Sequence, residues 1–478
     1  MSTSSDNNFT HKLLVNGNLV AGESLQDVWN PATGEVYQQA PLASLGMLDE
    51  AVSAAKASFA IWRSNVDRRR DCMKQMAQRV IENQEALARC LSAEIGVPLK
   101  QTMDEIAGAA MFLKYRATSE LAVDVIHDDD RQRVEVHRAP IGVVGAIIPW
   151  NAPALITCEK VGAAFAAGNT VVVKPSPMAP LTVMALGELW HDLLPAGVLN
   201  IVLGDGALGE ALTLHPDVGM ISFTGSTATG RAIMKSGAAT LKRLSLELGG
   251  NDAAIVLPDA EVGKVAAKIF GGAFYRSGQV CAAIKRVYVH REIAEEFSAA
   301  IAQIAANAKV SDPFDPDAAM GPLSNRQQFD IICGLADVTR CSDAKILAGG
   351  DALDRAGYFF APTIVSDLEK NSPLVTTEQF GPILPIVAYD TVEEAICWAN
   401  DSEYGLGASI WTADPDNAWE LASGLDAGSV WINRHGLVLP DTPFGGMKMS
   451  GIGRSNGQVG VDSYCELRTI SMAKNKKS

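Results

Sequence analysis

Three residues of this 478-residue chain stand where covalent chemistry could be done. Cys281 ends the stretch Ser277-Gly278-Gln279-Val280-Cys281, between a helix expected to end near Phe274 and a strand expected to begin near Arg286. A loop cysteine is a candidate thiolate nucleophile, although a lone cysteine also serves as a small apolar filler, which is the reading of the other seven. Glu247 lies within Leu244-Ser245-Leu246-Glu247-Leu248-Gly249-Gly250. A carboxylate buried in such a stretch has its pKa raised, which poises a base near neutral pH. The competing reading is a strand-end glutamate facing solvent. Asn151 ends Ile148-Pro149-Trp150-Asn151, and Lys174 ends Val171-Val172-Val173-Lys174. Both close apolar strands, and in a parallel sheet the carboxyl ends of strands face the ligand crevice.

Two glycine-rich turns could receive a phosphate. Gly204-Asp205-Gly206-Ala207-Leu208-Gly209 has the GxGxxG spacing after a strand and before a helix. It lacks an acid on a second strand about 20 residues later, so a tight strand-to-helix turn competes with dinucleotide binding. Phe223-Thr224-Gly225-Ser226-Thr227-Ala228-Thr229-Gly230 clusters hydroxyls where a helix opens, and the helix dipole favours an anion there. Taken alone it is equally an N-cap. The seven histidines show no metal-ligand spacing, and no metal is assigned.

The elements that must hold these residues follow from periodicity. Residues 13–40 read as short strands, and Leu48 to Arg116 as helices with apolar residues at three- and four-residue intervals. Leu121–Ile126 and Arg133–His137 read as a hairpin with Asp128-Asp129-Asp130 at its tip. From Pro140 strand and helix alternate, with strands at Ile141–Ile148, Thr170–Val173, Asn200–Leu203 and Gly219–Phe223. The pattern resumes after Gly250 with strands near 253–257, 286–290, 386–389, 408–412 and 429–432. Apolar strands without polar alternation predict parallel sheets covered on both faces. The expected class is therefore α/β, with two Rossmann-like open parallel-sheet domains and a small β arm. The cofactor-binding domain is expected at 1–120 and 138–248, the catalytic domain at 249–446, and an oligomerisation arm at 121–137 and 447–478. The strand Tyr464–Ser471 has no local partner and should pair with the hairpin or with another subunit. Residues Lys474–Ser478 are expected to fray.

Composition narrows the function. Forty Lys and Arg against 55 Asp and Glu leave a net charge of −15, which argues against nucleic acid and anionic membranes as partners. Eight scattered cysteines without a CxxC give no zinc knuckle and no disulfide framework, and suggest a reducing, cytoplasmic setting. The polar N-terminus shows no signal peptide, and no apolar run reaches the roughly 18 residues of a membrane span.

Together these segments resemble the aldehyde dehydrogenase superfamily, from Leu14-Val15-Asn16-Gly17 to Tyr464. The matching stretches also include Glu378-Gln379-Phe380-Gly381-Pro382 and Pro443-Phe444-Gly445-Gly446-Met447-Lys448-Met449-Ser450-Gly451. The resemblance implies that Cys281 attacks the aldehyde carbon and that Asn151, with the Cys281 N–H, forms the oxyanion hole. It implies that hydride passes to a nicotinamide and that Glu247 activates water against the resulting thioester. Lys174 and Glu378 would hold ribose hydroxyls, and Phe380 would pack near the nicotinamide. Gly225, Ser226 and Gly230 would follow the pyrophosphate. Ile148, Pro149, Trp150, Ser176, Pro177, Gly204 and Leu248 would complete the cofactor site. A homodimer or homotetramer is implied as well.

Two departures matter. Many NAD-preferring relatives carry an acid three residues after the lysine, where this chain has Pro177, so NAD is the first choice and NADP stays open. Ala152, Ile156, Leu437, Val438 and Leu439 suggest an apolar, fairly wide entrance, suited to a medium or large aldehyde, aromatic ones included. Arg434 and His435 fall in the same loop. Two alternatives are a CoA-acylating semialdehyde dehydrogenase, whose kind usually lacks the base, and a catalytically idle binding relative. Cys281 is also expected to be alkylated faster than the other cysteines.

Overall fold

A computed structural model describes residues 9–474. The alternating strands form an open sheet in the order Asn18–Val20, Leu13–Val15, Leu199–Ile201, Thr170–Lys174, Val143–Ile147, Val218–Thr224, Arg243–Glu247 and Gly451–Ile452. The five strands from Leu199–Ile201 to Arg243–Glu247 run parallel, and the flanking ones antiparallel. The continuous apolar runs are explained by cover on both faces. Val171 and Val173 pack with Val161 and Phe165 of the helix Pro153–Ala167. Val172, pointing the other way, packs with Ala51, Leu208, Leu212 and Ile233 of three other helices.

Register decides what this sheet presents. Ile147 lies opposite Lys174, Phe223 opposite Ile147, and Thr224 opposite Glu247. The carboxyl ends of four strands thus finish in one line, and Asn151, Lys174, Thr224 and Glu247 share that edge.

A second sheet runs in the order Lys345–Ala348, Thr363–Ser366, Ile383–Tyr389, Ile284–His290, Asp252–Val256, Gly407–Trp411 and Ser429–Ile432. All pairs are parallel except the antiparallel edge Lys345–Ala348. Cys281 sits in the connection that enters Ile284–His290, after the helix Val262–Phe274. Periodicity did not indicate the helix Arg326–Arg340 or the strands Lys345–Ala348 and Thr363–Ser366. Lys345–Ala348 is a half-exposed edge of mixed polarity, and its antiparallel pairing carries a register shift.

The hairpin forms from Asp124–Asp128 and Gln132–Pro140: its first strand begins later than expected, and its second spans the expected Arg133–His137 and runs on to Pro140. Cys465–Ala473 pairs antiparallel with Gln132–Pro140 along its whole length, within the same chain. Of the two partners expected for this strand, the hairpin is the one it has. Residues 447–464 do not follow the strand outward. Met447–Lys448 pairs with Tyr404–Gly405, Gly451–Ile452 adds to the first sheet, and the helix Gly457–Asp462 packs on Pro153–Ala167. At the root of the arm Tyr464 is buried, its OH 2.8 Å from Ser222 Oγ, while its carbonyl accepts from Asn169 Nδ2. Residues 475–478, expected to fray, lie outside the described residues.

Candidate active site

Cys281, Asn151 and Thr224 form a wall shared by two cavities. The larger, about 880 Å³, is lined also by Glu247 and by Phe112, Leu155, Ile156, Tyr275, Leu437, Val438 and Phe444. Ala152 belongs to it as expected, whereas Leu439 does not line it and is exposed. Leu155 neighbours Ile156 in the chain, whereas Phe112, Tyr275 and Phe444 come from three other parts, and only the fold brings them here. The smaller, about 310 Å³, runs between Pro149, Trp150, Gly225, Ser226 and Leu248 on one side and Glu378 and Phe380 on the other. Trp150 and Phe380 meet edge to face at 5.4 Å.

Several expected cofactor residues line neither cavity. Ile148 and Lys174 are buried behind the strand ends, and Gly230 packs closely against Leu248. Pro177 lines an adjoining cavity of about 400 Å³ with Gln26 and Arg326, which shares Met178 and Asn325 with the smaller one. Ser176 caps its own turn, its Oγ accepting from Met178 N–H. At the GxGxxG turn, Asp205 is the N-cap of Gly206–Leu214, and its carboxylate takes the N–H groups of Ala207 and Leu208. These amides are occupied by the protein itself, and a Cβ on Gly204 would meet the Leu208 side chain. The turn therefore has the geometry of a tight connection.

The hydroxyl-rich turn differs. Ser226 caps the helix Thr227–Gly237 through Thr229 N–H, at the carboxyl end of Val218–Thr224, on the crevice edge of the sheet. Lys174 Nζ, 3.3 Å from Pro175 O, has its pKa pushed down to about 8 by burial. Glu378 Oε1 accepts from Gly250 N–H at 3.0 Å, and burial pushes its pKa up to about 7, opposed by Lys285. Lys285 was not singled out by spacing. It is buried, donates to Gly278 O and lies 5.1 Å from the centre of the Phe380 ring.

Glu247 is 6 % exposed. Its Oε1 accepts from Ser455 Oγ at 3.3 Å, and its Oε2 has no hydrogen-bond partner in the protein. Burial pushes its pKa up to about 8, partly offset by Lys160, which is itself buried and donates to Ser222 Oγ at 3.1 Å. The solvent-facing alternative for Glu247 is excluded by this burial.

Cys281 is half-buried. Burial, followed by the charges of Asp252, Glu378 and Glu247, pushes its thiol up to about 12. The Ala282 N–H and the buried cation Lys285 act in the opposite direction, and burial outweighs them. Cys341 and Cys397 are exposed, and on exposure and thiol pKa they are expected to be alkylated before Cys281 in the free chain, the opposite of the order expected above. Asn151 Nδ2 donates to Gln279 O at 3.0 Å, which fixes the amide against the loop carrying Cys281. That loop turns at Arg276 and Ser277, both at positive φ (55° and 56°), a left-handed conformation costing about 1–2 kcal/mol for each such residue.

A profile described as the aldehyde dehydrogenase family matches residues 20–470. The chain belongs to the aldehyde dehydrogenase family. Aldehyde dehydrogenase LUC3 of Fusarium sp is 36% identical over 448 residues, covering 93% of this chain and 95% of its own. The 3,6-anhydro-alpha-L-galactose dehydrogenase of Vibrio sp. (strain EJY3) is 35% identical, covering 96% and 98%. An NAD+ complex of aldehyde dehydrogenase from Bacillus cereus superposes with a TM-score of 0.96 at 33% identity, covering 98% of each chain. This aldehyde dehydrogenase is thus an enzyme that oxidises aldehydes with a nicotinamide cofactor through a cysteine. Among the described residues, no helix is long and apolar enough to cross a membrane, and no group of three or more His, Cys, Asp or Glu is placed to hold a metal.

Proposed function

We propose that this aldehyde dehydrogenase converts a medium or large, largely apolar aldehyde to its carboxylic acid, with Cys281 as nucleophile, Asn151 as oxyanion donor and Glu247 as water-activating base. The single observation that carries this reading is the shared wall: Cys281 and Asn151 face both cavities at once, with Glu247 on the larger side. Cys281 gives up its thiol proton to water or to Glu247, its Sγ bonds the aldehyde carbon as the C=O π pair moves onto oxygen, and the developing alkoxide is held by Asn151 Nδ2 and the Cys281 N–H. When bound, the oxidised nicotinamide supplies a hydride acceptor, which leaves the acyl group on Cys281 as a thioester. Glu247 takes a proton from water as the water oxygen attacks that carbon, and the thiol leaves. A base in this position favours hydrolysis over transfer to CoA.

The residues of the smaller cavity suit a dinucleotide. A helix N-terminus and the Ser226 hydroxyl offer donors to a pyrophosphate, Glu378 offers a carboxylate to ribose hydroxyls, and Trp150 and Phe380 offer flat apolar surface, while Lys174, buried behind the strand ends, would reach a ribose hydroxyl from beside the cavity. NAD is the proposed cofactor, with NADP also accepted, because Pro177 presents no carboxylate to repel a 2′-phosphate. The test is a panel of aldehydes from acetaldehyde to substituted benzaldehydes, read by cofactor reduction with NAD and with NADP. Higher kcat/KM for the larger apolar members, and measurable NADP turnover, are expected. A preference for acetaldehyde would overturn the size assignment, and strict NAD use would overturn the acceptance of NADP.

The arm is proposed to join subunits, in a cytoplasmic dimer or dimer of dimers. Val125, Ile126, Leu467, Ile470 and Met472 are exposed on its strands. Both outer strands, Asp124–Asp128 and Cys465–Ala473, leave an edge open. The double variant Leu467→Glu/Ile470→Glu is expected to fall to monomer mass by light scattering while its circular dichroism stays native. An unchanged mass would count against the arm as the interface.

A further inference from the structure

The helix Leu99–Arg116 makes two contacts that bear on the reacting groups without touching them. Glu105 Oε1 accepts from the N–H groups of Ala154 and Leu155 at 3.0 and 3.1 Å, which are among the free amides at the start of Pro153–Ala167. That helix begins two residues after Asn151, and no side chain of its own caps it. Glu105 Oε2 accepts from Arg276 Nη1 at 2.5 Å, and both side chains are buried, at 1% and 5% exposure. One turn earlier on the same helix, Gln101 Oε1 accepts from the Arg276 backbone N–H at 3.0 Å.

Arg276 is five residues before Cys281. Its carbonyl accepts from Gln279 Nε2 at 3.2 Å, and Gln279 O receives Asn151 Nδ2. A closed circuit results: Glu105 to the start of the Asn151 helix, Asn151 to Gln279, Gln279 to Arg276, and Arg276 back to Glu105. The left-handed turn at Arg276 and Ser277 is unfavourable by itself, so contacts on both sides of it must hold it. Besides the Gln101 and Glu105 contacts, Ser277 Oγ donates to Gly321 O at 2.9 Å.

We propose that Glu105 and Arg276 are positioning residues that fix the separation between the oxyanion donor Asn151 and the nucleophile Cys281. The proposal rests on the roles given to Asn151 and Cys281 above. Neither member of the pair reacts. Their shared carboxylate sets two elements from different parts of the chain against each other, and a displacement of about 1 Å between reacting groups can cost about 100-fold in rate.

The experiment compares Glu105→Ala, Arg276→Met and the double variant in the full-length chain. Three quantities are read: the rate of the first-turnover burst of reduced cofactor, cofactor affinity by fluorescence, and alkylation of Cys281 by peptide mass spectrometry. Each single variant is expected to slow the burst about 30-fold or more, with cofactor affinity and Cys281 alkylation within about threefold of wild type. The double variant should be no slower than the worse single one, since both remove the same constraint. Breaking a buried ion pair from one side can prevent folding. The double variant leaves no unpaired charge and decides the matter if a single one does not fold. Glu105→Gln, which keeps an acceptor for the two amides, should recover part of the burst rate. A folded variant with a wild-type burst, or effects that multiply in the double variant, would overturn the clamp. Cys281→Ala and Asn151→Ala run alongside: if either keeps wild-type turnover, it is the underlying assignment of the catalytic pair that fails, and not the clamp alone.

Discussion

Cys281→Ala is expected to abolish aldehyde oxidation, leaving less than a few per cent of wild-type turnover, while cofactor affinity and melting temperature stay near normal. Removing one sulfur from a half-buried site creates little cavity, so the loss should be chemical rather than structural. No other cysteine lines either cavity. The measurement is cofactor reduction with an aldehyde in excess, beside a thermal melt. Peptide-resolved iodoacetamide labelling adds a second reading. In the free protein Cys341 and Cys397 should react first, because they are exposed and the Cys281 thiol is held near 12 by burial and three carboxylates. Labelling of Cys281 should rise with pH without a plateau below pH 9, since only the thiolate reacts. A plateau near pH 7 would mean that the thiolate is stabilised by something the surrounding acids do not reveal.

Glu247→Gln should separate the two halves of the reaction. The glutamine keeps the shape and removes the proton acceptor. If Glu247 acts only on water, a burst of reduced cofactor close to one per site should persist, followed by a steady state slowed by about 10²–10⁴-fold. If it also deprotonates Cys281, the burst itself should slow and partly recover as pH rises. In the wild-type enzyme the steady-state rate should climb with pH through about 8, because burial raises this carboxyl and only its deprotonated form is a base. Protonation below that value removes the acceptor, so the acid side of the profile is the slow side. In the variant that inflection should vanish. Stopped-flow absorbance across pH 6 to 9 reads both effects. Wild-type steady-state rates in the glutamine variant would move the water-activating role to another group.

The parts of the site that lie at strand ends were legible in the sequence for a physical reason. Val143–Ile147, Thr170–Lys174 and Val218–Thr224 are apolar because both faces are covered, so the first polar residue after each marks the rim of the sheet. Glu247 was visible as a carboxylate among apolar neighbours, and Cys281 as a cysteine on a loop. What tunes them was not visible. Lys160 reaches Ser222 across 62 residues, Arg276 reaches Glu105 across 171, and Ser455 reaches Glu247 across 208. A helical lysine or glutamate reads as a solvated face until its neighbours are known. The GxGxxG turn shows the opposite failure, a pattern whose amides the adjacent Asp205 already uses.

The buried hydroxyl of Tyr464 ties the arm to the reacting side of the first sheet. It meets Ser222 Oγ, the same atom that receives Lys160, and Lys160 is the cation that tempers Glu247. Tyr464 is also the last buried residue before the chain enters the exposed strand Cys465–Ala473. A protomer whose arm detached at Tyr464 would lose one of the two partners of Ser222 Oγ, the atom that receives Lys160, so the arm and the buried cation beside Glu247 are mechanically linked.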